Sequence, residues 1–89
     1  MRMRIISQGG RVDLPYEEIA LCMASEDIIA RYNDKEYLMA RYSTIDKAKK
    51  AMEMLHITYK GNKVEEVYQE GTNYYHPTFQ FPADEDVKV

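Results

Sequence analysis

The sequence predicts an α+β domain: a small antiparallel sheet of four or five strands, one main helix across a face, and a C-terminal strand returning to the sheet edge. Three observations predict it. Large and small residues alternate cleanly over residues 18–24, apolar residues recur at helical spacing between 45 and 59, and Pro77 and Pro82 bracket the run Thr78-Phe79-Gln80-Phe81.

Arg4-Ile5-Ile6-Ser7 reads as a first strand, stopped by Gln8-Gly9-Gly10, a turn that tolerates positive φ. Residues 11–16 read as an extended piece in which Val12 and Leu14 alternate and Pro15 ends the run or holds it at an edge. In residues 18–24, Ile19, Leu21 and Met23 point one way and Ala20, Cys22 and Ala24 the other. Such a strand is buried in front and closely approached behind, by another layer or another subunit. Residues 28–32 and 37–42 flank Asn33-Asp34-Lys35-Glu36, a hairpin signal. With Asp34-Lys35 at the tip, Tyr32 pairs with Tyr37, Arg31 with Leu38 and Ala30 with Met39.

The helix is the strongest local signal. Ser43 and Asp46 form a capping-box-like pattern, followed by an apolar stripe of Ile45, Ala48, Met52, Leu55 and Tyr59. Gly61-Asn62 supplies a C-terminal stop, and Met54 and Ile57 lie off the stripe. Val64, Val67 and Tyr68 suggest one or two further helical turns before Gly71-Thr72-Asn73 breaks them. The acidic tail, residues 83–89, is expected to fray.

A length of 89 residues allows a single domain, and 45% hydrophobic with 30% charged residues is the balance of a folded one. The net charge of −3 argues against broad binding to nucleic acid or to an anionic membrane. No apolar run reaches the roughly 18 residues a membrane span requires. The single cysteine, Cys22, excludes an intrachain disulfide and a cysteine-based metal cluster. A small protein of a reducing compartment is expected.

Catalytic motifs fail one by one. There is no Walker loop, Rossmann glycine triplet or HExxH. His56 and His76 have no acidic residues at metal-ligand spacing, and His56 beside the apolar stripe reads as a partly buried structural residue. Cys22 has no adjacent basic residue to activate a thiolate. Glu17-Glu18 and Glu65-Glu66 are adjacent pairs, which diverge rather than converge on one bond. Neither a catalytic residue nor a metal or cofactor is expected.

Binding chemistry remains. Arg4, Arg31 and Arg41 fall in predicted strands, and Arg31 and Arg41 precede Tyr32 and Tyr42. Arginine offers a fork for phosphate and tyrosine a stacking face for a base, so these five residues are the candidate site for a small nucleotide. The alternative is solvated arginines packed on tyrosine rings.

Arg4-Ile5-Ile6-Ser7-Gln8-Gly9-Gly10, Asp13-Leu14-Pro15-Tyr16-Glu17, Tyr42-Ser43-Thr44 with residues 47–55, and Phe79-Gln80-Phe81-Pro82 resemble a family of short uncharacterised proteins from phages and prophages of Gram-positive bacteria. The resemblance covers both ends and the helix, and departs at Gly9, where the family pattern has an acidic residue. At the level of architecture the chain is similar to the sponges that counter the Thoeris defence by trapping cyclic ADP-ribose-type signals. The resemblance implies a non-enzymatic sponge for a cyclic nucleotide signal, acting in the cytoplasm of an infected host. The alternatives are an inhibitor that binds a host defence protein, such as an anti-CRISPR protein using the acidic segments, or an accessory phage protein without a defence role. Met54, Ile57 and the small-residue face around Cys22 together favour a homo-oligomer over a monomer.

Overall fold

The computed structural model describes residues 3–68 and 78–89, and the side chains of 3–60 and 78–89. In chain order its elements are β1 (Arg4–Ile6), β2 (Asp13–Pro15), β3 (Ala20–Ala24), β4 (Asp27–Tyr32), β5 (Lys35–Arg41), α1 (Ile45–Tyr68) and β6 (Thr78–Gln80), with 3₁₀ turns at Tyr16–Glu18 and Asp84–Asp86. The class is α+β. The strands form two three-stranded sheets rather than one, ordered β2-β1-β6 and β3-β4-β5. Pro15 and the 3₁₀ turn after it interrupt the ladder between β2 and β3, which is where the sheet divides. C-terminal β6 is an edge strand, as its prolines require, and it runs parallel to β1.

β3, β4 and β5 form an antiparallel meander built from tight turns. The second turn is Asn33-Asp34, with φ of 51° and 64°, left-handed values that these two residue types tolerate best after glycine. The tip therefore lies one residue earlier than the sequence suggests. Tyr32 pairs with Lys35, Arg31 with Glu36 and Ala30 with Tyr37, correcting the expected Tyr32–Tyr37 pair.

β5 carries a further irregularity. Tyr37 and Tyr42 both face the core, yet strict alternation would place residues five apart on opposite faces. The register shifts between Ile28 and Ile29, so that Met39 is an extra residue and both Met39 and Ala40 are buried. The bulge rephases the strand. Arg41 then falls opposite Asp27 on the outer face, and Tyr42 turns inward.

Helix α1 buries Ala48, Ala51 and Leu55 completely, with Met52, Met54 and Tyr59 packed at the margin. Ile45, expected in the stripe, is 46% exposed because it opens the first turn. The cap is Thr44 rather than Ser43. Thr44 Oγ1 accepts from Lys47 N–H at 3.1 Å, whereas Ser43 donates to Asp84 through N–H (2.7 Å) and Oγ (3.1 Å). The helix also passes through Gly61-Asn62 to Tyr68, so the expected stop does not operate. His76 and Gly71-Thr72-Asn73 lie outside the described residues.

The acidic tail is docked, not frayed. Val87 is buried, and Asp84 accepts from Ser43 and from Lys47 Nζ (3.1 Å). These bonds hold the Asp84 carboxyl below the usual carboxylate range. Phe79 and Phe81 insert from the same side of the strand and meet edge to face at 5.3 Å. Phe81 joins Met3, Ile5, Ile28, Met39 and Leu55 among the fully buried side chains, so the C-terminal segment completes the core.

Candidate functional site

The chain reverses after β1 in a tight turn. Gly10 N–H donates to Ser7 C=O at 2.9 Å, and Gly10 has φ +79°, a conformation strained for any L side chain. Ser7, nearly fully buried, accepts at Oγ from the N–H groups of Arg11 (3.2 Å) and Val12 (3.1 Å). Gln8 then ties the turn to the other sheet. Its N–H donates to Met39 C=O (2.7 Å), its Oε1 accepts from Arg41 N–H (3.1 Å), and its Nε2 donates to Pro82 C=O (3.1 Å).

Between this turn and β5 lies an open cavity of about 280 Å³, with Leu38 and Met39 as apolar lining and Gly9, Arg11 and Arg41 among its walls. Arg41 is held by a two-pronged pair, Nε to Asp27 Oδ1 at 2.9 Å and a terminal nitrogen to Oδ2 at 3.1 Å. The hydrogen bonds raise the Arg41 pKa and lower that of Asp27, so both stay charged. Arg11 is exposed and makes no ion pair with a described carboxylate. Its guanidinium remains open to an anion.

The five residues expected to form the site do not converge. Arg4 lies in the other sheet, bonded to the Asp13 carboxylate (2.8 Å) and carbonyl (3.2 Å). Arg31 pairs with Glu36 at 2.8 Å at the far end of the meander from Arg41. Tyr32 packs at the core margin on the opposite face from Arg31. Tyr42 is buried and donates its phenol to Pro82 C=O at 2.8 Å, its pKa pushed up to about 12 by burial and then by the Asp84 charge. Strand neighbours point to opposite faces, so an Arg-Tyr dipeptide cannot present fork and ring together. Arg41 is the one expected residue in the cavity, and Arg11 is the missed one. Its only sequence signal is its position directly after Gly9-Gly10.

Of the expected oligomer residues, Met54 packs against the core, while Ile57 is 61% exposed and Cys22 is exposed. His56 is exposed as well, correcting its expected partial burial. It lines a second hollow of about 490 Å³ with Tyr16, Glu17 and Met52. The ring centroids of Tyr16 and Tyr59 lie 4.8 Å apart, and burial, more than Tyr59 or Glu17, raises the Tyr16 pKa. Glu17 spends both carboxylate oxygens on Met3 N–H, at 3.1 and 3.0 Å.

No helix among the described residues is long and apolar enough to cross a membrane. No protein family, curated protein or solved structure matches the chain.

Proposed function

We propose that the protein captures a small phosphate-bearing ligand, without turning it over, in the cavity between the turn at residues 7–12 and β5. The supporting observation is Arg11, a guanidinium without a carboxylate partner among the described residues, which shares the cavity with a fixed Arg41. The Arg11 fork suits a phosphate oxygen pair, Arg41 adds a positive edge held in place by Asp27, and Leu38 offers an apolar surface to whatever carries the phosphate. A cyclic nucleotide signal trapped by a phage protein in the host cytoplasm is the specific form of this reading, and it draws on the family resemblance of the sequence blocks. The reading as an acidic inhibitor of a defence protein is less well supported, because Asp84 is spent on Ser43 and Lys47.

Calorimetry against cyclic nucleotides and ADP-ribose derivatives tests the reading. At least one member should bind, be recovered unchanged, and lose about tenfold or more in affinity with Arg11→Gln, the scale of one charge-assisted hydrogen bond. No heat with any member, or full affinity in the variant, removes it.

A further inference from the structure

The outer face of the β3–β4–β5 sheet has no layer over it among the described residues. The core lies on the other side, where Ile28, Ala30, Met39 and Ala40 are buried. The outer face reads as three cross-strand rows. The middle row is Cys22, Ile29 and Leu38, with Leu38 48% exposed. One flanking row is Ala20, Arg31 and Glu36, and the other is Ala24, Asp27 and Arg41. Each flanking row carries an ion pair, and their polarity is opposite: β4 contributes the cation in the first and the anion in the second. Leu38 is two residues from Glu36 and three from Arg41, and the bulge at Met39 absorbs the difference, so the rows stay matched on both strands.

This pattern is complementary to itself. We propose that the outer face is the interface of a homodimer, formed about a two-fold axis that lies along the middle row. Arg31 of each copy then meets Asp27 of the other, and Glu36 meets Arg41. Cys22, Ile29 and Leu38 each oppose their own counterpart, and Ala20 opposes Ala24, small enough to let the sheets close. Face-to-face sheets keep their strands within about 30° of alignment, so three short rows remain in register. The other simple two-fold, along β4, sets Arg31 against Arg31 and Asp27 against Asp27, and like charges disfavour it. The favoured axis also sets both β5 edges on one side of the dimer, with the two Arg11–Arg41 cavities at opposite ends of that side. The proposal itself rests on the sheet face and not on the ligand.

Paired charge reversals test it while keeping each intrachain ion pair. One variant carries Arg31→Glu with Glu36→Arg, and the other Asp27→Arg with Arg41→Asp. In either variant alone, like charges face each other in both rows. In a mixed dimer every pair is opposite again. Sedimentation equilibrium should give the wild type twice the 10.5 kDa of the chain, each variant the chain mass alone, and the equimolar mixture twice it again. Circular dichroism verifies that each variant is folded, and a second pair of reversals made with Lys and Asp serves if either is not. A wild type that stays monomeric at its highest soluble concentration overturns the proposal. So does a folded variant that still self-associates, or a mixture that does not.

Discussion

The two sheets are of equal strand number but are held together by different means. The β3–β4–β5 meander pairs neighbours in sequence through short turns, and its register follows from Asn33-Asp34 and one bulge. The β2–β1–β6 sheet is completed only when the last part of the chain returns, with Ile5 opposite Phe79 and Gln8 reaching Pro82 across 74 residues. Local pairing costs little loop entropy, whereas long-range pairing must be repaid by burial and polar contacts. Those contacts are present. Phe81 and Val87 supply burial, and Pro82 C=O accepts from both Gln8 and Tyr42.

The largest effect expected from this difference is at Phe81. Phe81→Ala should cost about 3–5 kcal/mol, as large aromatic truncations in packed cores do. Amide exchange should lose protection first in β1 and β6, with β3 and β4 following only on global unfolding. Simultaneous loss in both sheets would mean that they form one cooperative unit despite their separate ladders.

Gln8→Ala probes the junction between the sheets. It removes the side-chain bonds to Pro82 C=O, which still accepts from Tyr42, and from Arg41 N–H, and should cost about 1–3 kcal/mol for the N–H left unsatisfied. Exchange at the Arg41 amide should accelerate while the β3–β4 amides hold. Equal acceleration everywhere would assign Gln8 to general stability rather than to the join.

The same division marks what was legible in the sequence. Alternation in β3, the helix and the proline-bracketed edge strand follow from spacing within a few residues. The helix cap was one residue out, because Ser43 and Thr44 are chemically equivalent caps until Asp84, far along the chain, occupies Ser43. The hairpin tip was misplaced because Asn33-Asp34 and Asp34-Lys35 are both plausible turns until burial of Tyr37 opposite Ala30 selects one. The docked tail was missed because an acidic terminus carries no local sign of its partners. The candidate site is hidden for a similar reason: Arg11 and Arg41 come to share a cavity through the bonds of Gln8 to Met39 C=O and from Arg41 N–H.

The smallest expected effect separates two carboxylates, one in each region. Asp84 fastens the returning tail and Asp27 sits in the meander, and both have pKa values below the ordinary carboxylate range, through hydrogen bonds from Ser43 N–H and from Arg41 respectively. A carboxyl whose pKa is depressed by folding stabilises the fold above its unfolded pKa, near 4, and that contribution fades as pH falls through the lower folded value. Both side chains are only half-buried, so solvent and salt keep each contribution modest. Melting temperature followed from pH 6 downward should therefore fall less steeply in Asp84→Asn and in Asp27→Asn than in the wild type. The variants should differ in where the change is felt. Asp84→Asn should loosen the Ser43 and Val87 amides already at neutral pH, because an amide cannot replace a carboxylate that accepts from both Ser43 and Lys47. Asp27→Asn should leave those amides unchanged and loosen the Arg41 end of β5. An acid slope as steep in Asp84→Asn as in the wild type would show that the tail is held by burial of Val87 alone.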